Sequence, residues 1–584
     1  MTPKAVRMVL AIAVGIATVQ AGFAQELRTP AERVDYQQGG TLYEPLMEFV
    51  YELESRTELM NVRKLTETLL ERDLVLAILS NPPMFKPEDV RRSGKPVVLI
   101  VNNVHGGEVA GKDASMEIMR DLVMGDLRPL LEDVVVLIVP TINPDGAEVR
   151  RRTNEEGFDL NRDYLKLESQ EIHALVTKVI NAWDPDIHID THHGGSAPYT
   201  LTYQTNMNPA GDAALVRFAN ERILARVREA LRAEEYDGFW YTGPGQVDGV
   251  DGWVPTSVEP RKQHVYSTLS NMVGLLYESP SSSHRVVDDG TRVVEIPPEE
   301  RYRHQVRGQY LGIREAIRFA SEHGEELKTL IARAEARAIQ VGHDDSDDDQ
   351  IPIDYRQVNK GNEDFWVRRR VGRDPGARSG PAEYELVNRP VFTRFEATRT
   401  TTRPWGYLIP ASQAKVIPLL LEHEITVKQL TAPAIVDAEV YYATEVRNTQ
   451  YLQAHYLKAV DVEKYQETVE LPAGTFFVPS GQPKGNLLSY LLEPETNDNI
   501  ITWGFLDNVL EVTPDFRERE SQRQAQRDRL SGLSPQQRSR LERRIELAER
   551  GQRIPIFRLM KKSSLRGVLI DSFNRYERNR YTGN

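Results

Sequence analysis

Cysteine is absent from the 584-residue sequence. Without disulfides, the chain must take its stability from its core and from any bound ligand. An excess of basic residues is also missing, because 73 Lys and Arg stand against 86 Asp and Glu, for a formal net charge of -13. Proteins that neutralise phosphates need the opposite balance, so we predict no nucleic-acid partner.

Long apolar runs are scarce, and the N-terminal one is short. Residues 8–19 are apolar, Lys4 and Arg7 precede them, and small residues follow around Ala24. This pattern predicts a secretory signal peptide over residues 1–24, the alternative being an uncleaved membrane anchor. Because no run reaches the roughly 20 residues that a spanning helix needs, we expect no transmembrane helix in the mature chain. The expected location is exported, either periplasmic or secreted from a bacterium.

Continuous apolar runs mark the first half of the chain as an α/β domain. The runs at residues 96–101, 134–139, 187–191 and 272–277 predict strands buried on both faces. Residues 109–123, 169–180 and about 300–337 predict helices. The alternation predicts a mixed, mostly parallel sheet flanked by helices, within a first domain over residues 25–340.

The second half has a different composition. Five Asp within residues 344–349 predict an acidic linker over residues 341–355, although clustered carboxylates also suit a calcium loop. Short β-rich runs follow, so residues 356–584 are predicted to form an accessory domain that is α/β or β-rich. Residues from about 516 to 553 are dense in Arg, Glu and Gln and predict a charged helical insertion, either a solvated protrusion or a partner helix.

Candidate metal ligands follow two of the predicted strands. His105 and Glu108, three residues apart after strand 96–101, can place an imidazole nitrogen and a carboxylate oxygen on one zinc ion. Alone, the pattern is weak, and a pair of surface residues in a turn is the alternative. After strand 187–191, the ligand at the strand end is either His192 or His193.

Candidate catalytic and anion-binding groups lie after the other strands. Glu278 ends an apolar run, where partial burial beside a cation suits a general base, although a helix-capping or salt-bridged Glu is the alternative. Arg152, Asn161 and Arg162 follow strand 134–139. Their paired donors suit a carboxylate or a developing oxyanion, while the plainer interpretation is a solvated basic turn.

These fragments, in this order, make the sequence resemble the zinc metallocarboxypeptidases, the funnelin-like family, over roughly residues 40–325. The resemblance implies that His105, Glu108 and His192 bind one zinc ion. It also implies that Glu278 is the general base, since Glu278 occupies the place of the base in that family.

The same resemblance extends to the stretch Asp159-Leu160-Asn161-Arg162. It implies that Asn161 and Arg162 bind the terminal carboxylate of the substrate and that Asp159 orients His105. Arg152, nine residues before Asn161, is implied to stabilise the oxyanion.

One departure from the family concerns its mobile substrate-capping tyrosine. Residues 253–256, at the usual distance before the general base, read Trp-Val-Pro-Thr and contain no tyrosine. Tyr236, Tyr241 and Tyr266 are the candidates to replace it.

The expected function is zinc-dependent hydrolysis of peptide bonds, with removal of C-terminal residues from peptides that have a free terminal carboxylate. One alternative is an amidase or peptidase acting on peptidoglycan stem peptides or on N-acyl amino acids. An alternative from another class is an inactive peptide-binding protein.

Overall fold

The structure is a computed structural model that describes residues 27–37, 39–255, 257–343, 349–369, 383–514 and 533–570, with residues 521, 524, 525 and 528. The predicted signal peptide, residues 1–24, lies outside the described residues, as does Thr256. Within the described ranges, no helix is both long and apolar enough to cross a membrane.

Strands of the first half form one large sheet and two small hairpins. Their bounds are β1 (Met60–Glu67), β2 (Asp73–Leu79), β3 (Val97–Asn102), β4 (Val135–Val139), β5 (Ile187–His192), β6 (Leu201–Gln204), β7 (Gly238–Trp240), β8 (Pro244–Val247), β9 (Val250–Trp253), β10 (Val273–Glu278), β11 (His284–Val287) and β12 (Arg292–Glu295). The eight-stranded sheet has the order β1-β2-β4-β3-β5-β10-β6-β7, and β8 pairs with β9 and β11 with β12.

The middle of the large sheet is parallel. β3 pairs in parallel with β4 and with β5, and β5 pairs in parallel with β10, whereas β2 and β6 join this centre in antiparallel fashion. Each residue of β3, β4, β5 and β10 is buried, as continuous apolar runs predict for strands covered on both faces. The predicted mixed, mostly parallel sheet flanked by helices is therefore confirmed.

Helices cover both faces of this sheet. Their bounds are α1 (Pro30–Arg33), α2 (Tyr43–Ser55), α3 (Pro87–Ser93), α4 (Ala110–Val123), α5 (Pro144–Glu148), α6 (Gln170–Ala174), α7 (Asn181–Trp183), α8 (Ala213–Phe218), α9 (Ala225–Ala233), α10 (Gln263–Leu269), α11 (Arg301–Glu322) and α12 (Gly324–His343). The single helix predicted over residues 300–337 is instead the pair α11 and α12, which meet at His323.

The second half is built on a seven-stranded sheet with the order β20-β19-β22-β17-β21-β18-β23. Its elements are β13 (Gln350–Val358), β14 (Asn362–Arg369), β15 (Glu383–Pro390), β16 (Arg394–Thr402), β17 (Gly406–Ile409), α13 (Ile417–Glu422), β18 (Val427–Leu430), β19 (Ala434–Leu452), β20 (His455–Leu471), β21 (Phe476–Pro479), α14 (Gly485–Leu492), α15 (Pro535–Glu549), β22 (Gln552–Leu559) and β23 (Gly567–Ile570). β13 pairs with β16 and β14 with β15, so this half is rich in β-structure.

The two halves share a hydrophobic core. Tyr164 and Tyr266 of the first half belong to the same buried apolar cluster as Tyr407 and Leu420 of the second. The imidazole of His423 lies inside this contact, with Nδ1 3.0 Å from the Tyr266 hydroxyl and Nε2 3.0 Å from the Leu165 carbonyl oxygen. The halves are thus joined by a buried surface.

Two predicted segments lie partly outside the described residues. Of the acidic linker predicted at 341–355, residues 341–343 belong to α12 and residues 350–355 to β13, while residues 344–348 are not described. In the charged insertion predicted at about 516–553, the described helix is α15. The hydroxyl of Ser534, just before this helix, accepts a hydrogen bond from the backbone N–H of Gln537.

Candidate active site

The loop after β3 presents His105 and Glu108 at the carboxyl edge of the sheet, where α/β sheets place their ligand sites. Asn103 begins the loop with a φ of 60°, a left-handed conformation that asparagine tolerates. Its amide nitrogen donates to the carbonyl oxygens of His105 and Glu108, at 2.9 and 3.0 Å. At Gly106 an added Cβ would lie 2.2 Å from a backbone carbon of Gly146, so this close approach requires glycine.

Three side chains converge on one point at this edge. Their ligand atoms lie within 4.8 Å of one another, and they belong to His105, Glu108 and His192. The His105 Nδ1 atom is 2.8 Å from one Glu108 oxygen, and the His192 Nδ1 atom is 2.7 Å from the other. The two Nδ1 atoms are 3.2 Å apart.

The donor set fits a zinc ion. The outer nitrogen of each imidazole faces a carboxylate, since His105 Nε2 lies 3.1 Å from Asp159 Oδ1 and His192 Nε2 lies 2.7 Å from Asp190 Oδ2. A carboxylate partner holds the proton on Nε2 and leaves the Nδ1 lone pair free for a metal. Two imidazole lone pairs and a carboxylate facing one another are the ligands that catalytic zinc takes in proteins.

Glu278 stands beside this cluster because of strand register. β5 and β10 run in parallel with Glu278 opposite His192, and the Glu278 side chain is 6% exposed. Burial raises the pKa of Glu278 to about 8, and the nearby negative charges of Glu108 and Asp190 add to the rise. The site therefore holds a carboxyl group whose charged form is costly unless a cation lies nearby.

Arg152 and Asp159 flank the cluster on the loop side. The Arg152 guanidinium donates to Asp159 from Nε at 3.0 Å, and its Nη1 lies 3.7 Å from Glu108. Burial opposes ionisation of Asp159, but the hydrogen bond and charge of His105 and the charges of Arg162 and Arg152 hold its pKa well below the usual value. Half of the Arg152 side chain is exposed to solvent, which leaves donors for a ligand.

Asn161 and Arg162 lie on a short 3-10 turn over residues 160–162, capped by the Asp159 carboxylate, which accepts from the Asn161 N–H at 3.0 Å. The Asn161 amide oxygen accepts from the Gln263 N–H at 3.0 Å, and its nitrogen lies 3.1 Å from His192 Nε2. Asn161 is buried beside His192, whereas the Arg162 guanidinium donates to the Asn161 carbonyl oxygen and is half-buried.

Of the three tyrosines considered from sequence, the structure places Tyr241 at this site. An ideal Cβ on Gly194 would lie 2.5 Å from Glu278 Oε2 and 3.5 Å from Tyr241 Cε2, so both groups flank the same glycine. Burial and the charges of Glu278 and Glu108 raise the pKa of Tyr241. Tyr266 instead bonds His423 in the core, and the Tyr236 ring packs 5.2 Å from that of His304.

The remaining histidines near β5 have structural positions. His193 Nε2 accepts the N–H of Ala110 at 2.8 Å and so caps α4, and burial lowers its pKa to about 4. His188 lies in the core, 3.0 Å from the Ser267 hydroxyl, and burial lowers its pKa to about 3. Between the two choices that the sequence left open at the strand end, the ligand cluster contains His192.

Sequence reasoning assigned no role to Asp190, which holds the outer nitrogen of His192. The signal was present, because two residues apart on a strand the side chains share a face. The roles of Gly106 and Gly194 depend on close approaches between distant segments, and a single sequence carries no signal for those.

In sequence, the chain is similar to proteins described as carboxypeptidases. Residues 46–206 match the family model described as zinc carboxypeptidase. "Carboxypeptidase 2" of Trichophyton tonsurans is 23% identical over 431 residues, which cover 71% of this chain and 74% of that protein. Mouse "Carboxypeptidase D" is 26% identical over 215 residues, 33% of this chain and 15% of that protein. A solved metallo-carboxypeptidase from Pseudomonas aeruginosa is 20% identical, covers 49% of this chain and 71% of its own, and has a TM-score of 0.37.

Proposed function

The protein carries a domain of the zinc carboxypeptidase family, and on this premise we propose that it removes C-terminal residues from peptides with a single zinc ion. The observation that carries the proposal is the convergence of His105, Glu108 and His192 beside the Glu278 carboxylate. When bound there, zinc supplies a Lewis acid that polarises a carbonyl group and makes water a better nucleophile. We also propose that residues 341–355 separate the catalytic domain from the accessory domain.

Glu278 is proposed to move the proton. Its carboxylate takes a proton from the attacking water and delivers it to the nitrogen of the leaving amine, as one general base and acid. Its place at the end of β10, opposite His192, keeps it beside the proposed metal ligands. Gly194 leaves room for the carboxylate, because an added Cβ would lie 2.5 Å from Glu278 Oε2.

Arg152 and Tyr241 are proposed to stabilise the transition state. The Arg152 guanidinium lies beside Glu108 and has exposed donors, which suit the oxygen that becomes negative as water adds to the peptide carbonyl. The Tyr241 hydroxyl is proposed to donate to substrate next to Glu278, in the role of the capping tyrosine. The Asp159 carboxylate orients both His105 and Arg152.

Replacing Tyr241 with Phe should lower kcat/KM roughly tenfold, which corresponds to the loss of one hydrogen bond of about 1.4 kcal/mol. Zinc content should not change, because the hydroxyl is not a ligand. Steady-state kinetics with metal analysis measure both. Tyr236→Phe is the matched control and should behave as wild type; equal effects of the two changes would refute the role of Tyr241.

Arg162, with Asn161, is proposed to bind the terminal carboxylate of the substrate. A guanidinium pairs its donors with a carboxylate, and an amidated terminus removes that partner's charge. We therefore expect the wild-type protein to cleave free-acid peptides in preference to the same peptides with an amidated C-terminus, as an exopeptidase does.

The variant Arg162→Met should lower kcat/KM for the free acid by roughly 10–100-fold, the effect of one charge-assisted contact, and should change the amide rate little. Digests of paired peptides, read by mass spectrometry, measure both rates and locate the cleaved bond. Arg217→Met, an exposed arginine on α8, is the control. Internal cleavage, or equal rates on acid and amide in the wild type, would support an endopeptidase or amidase instead.

Export is proposed on the N-terminal pattern alone, with removal of residues 1–24 and release into the periplasm or the medium. The N-terminal residue of the protein purified from its own host tests this directly: a mature chain that still begins at Met1 would overturn it.

A further inference from the structure

The longest hairpin of the second half reaches the loop that carries the proposed carboxylate site. β19 and β20 are joined by Gln453 and Ala454, whose φ values are 50° and 61°. Two left-handed residues make a tight two-residue turn that usually contains Asn or Gly. Here neither residue is of that type, so the surroundings of the tip must hold its conformation.

The hairpin tip contacts both ends of the segment 159–168. The Gln453 side-chain amide donates a hydrogen bond to the backbone carbonyl oxygen of Asp159. At the other end of the segment, His455 Nε2 lies 2.9 Å from each oxygen of the Glu168 carboxylate. The His455 ring also meets the Trp503 ring edge-on, with centroids 5.7 Å apart.

A second contact from the same half holds the neighbouring segment, residues 259–263. Asp498 is fully buried, and its carboxylate accepts from the Arg261 N–H at 3.0 Å and from the Trp503 indole at 2.9 Å. Gln263, two residues after Arg261, contacts Asn161, because the Gln263 backbone N–H donates to the Asn161 side-chain amide oxygen.

We propose that Gln453 and Asp498 are positioning residues that hold the substrate-carboxylate site from the second half of the chain. They fix the backbone of Asp159 and of Arg261, and through these the side chains of Asn161 and Arg162. The inference rests on the proposed function, since it names what aligns that site.

The physical need for such support is local. Residues 160–162 form a single 3-10 turn, which has too few internal hydrogen bonds to keep its own position. A binding site must be held to within about 0.5 Å for its hydrogen bonds to the ligand to keep their strength. Two hydrogen bonds from a different part of the fold supply the missing constraint, and the second half is part of the catalytic unit.

The test uses the full-length, zinc-loaded protein with Gln453→Met, which keeps the side-chain length but has no donor. Gln453→Glu keeps the side-chain shape but places an acceptor against the Asp159 carbonyl oxygen. Its effect on KM should therefore be at least as large as that of Gln453→Met. If Gln453 only fills space, Gln453→Glu should behave as wild type. Gln466→Met makes the same change on an exposed part of β20 and is the matched control.

We expect KM for a free-acid peptide to rise about 5–10-fold in Gln453→Met, with kcat changed less than threefold and with zinc content and unfolding temperature unchanged. The preference for free acid over amide should fall by a similar factor. Calorimetry measures the affinity of each variant for the free-acid peptide without turnover. We expect the affinities to rank the variants in the same order as their KM values.

Three results separate the inference from the proposed function. A wild-type preference for free acids that Gln453→Met weakens supports both. The same preference unchanged in Gln453→Met and Gln453→Glu overturns the positioning role and leaves the function standing. A wild-type protein with no such preference overturns the proposed function and the positioning role together.

Discussion

Glu278→Gln is expected to lower kcat by roughly 10²–10⁴-fold while the protein keeps its zinc, because the change removes a general base and leaves the metal ligands intact. The glutamine side chain has the same shape and fits the same buried place beside Gly194. Turnover of a blocked dipeptide and zinc content of the purified variant, measured together, give the result.

The control for this experiment is Glu325→Gln, a carboxylate at the exposed start of α12. It should retain wild-type activity. Full activity in Glu278→Gln would show that another group moves the proton. Loss of zinc from Glu278→Gln would show that Glu278 is a ligand and not the base.

His192→Ala is expected to abolish both zinc binding and activity. It deletes one of three converging ligands and leaves Asp190 buried without the imidazole it holds. A ligand present at about 100 times its Kd contributes about 2.7 kcal/mol of stability, so the variant should also unfold at a lower temperature than the zinc-loaded wild type. Metal analysis and thermal unfolding with and without a chelator measure these effects.

His173→Ala provides the matched control, since His173 lies on α6 with 42% of its side chain exposed. Its zinc content should equal that of the wild type, one ion per chain. The ligand assignment fails if His192→Ala binds zinc with unchanged stoichiometry, or if the chelator changes neither activity nor the unfolding temperature of the wild type.

The central strands could be predicted from the sequence because burial on both faces leaves a continuous apolar run. All four predicted strands are present, and three of them end at the candidate site: β3 before His105, β5 at His192 and β10 at Glu278. Parallel strands bring their carboxyl ends to one edge, so strand order alone brings most of the cluster together. Most residues of the candidate site could therefore be predicted from the residues that follow or end these strands.

The rest depends on contacts that a single sequence does not show. Tyr241 could not be told from Tyr236 and Tyr266, because its place follows from the path of the chain after β7. The reach of Gln453 to Asp159 spans 294 residues of sequence and depends on the packing of the two halves. The break between α11 and α12 at His323 was missed because helical periodicity continues across it.

Anomalous X-ray diffraction at the zinc edge, from crystals of the zinc-loaded protein, tests the central claim most directly. One strong peak should lie within bonding distance of the Nδ1 atoms of His105 and His192 and of the Glu108 carboxylate, with Glu278 beside it and not bonded to it. A peak elsewhere in the chain, or none between these three side chains, would contradict the account.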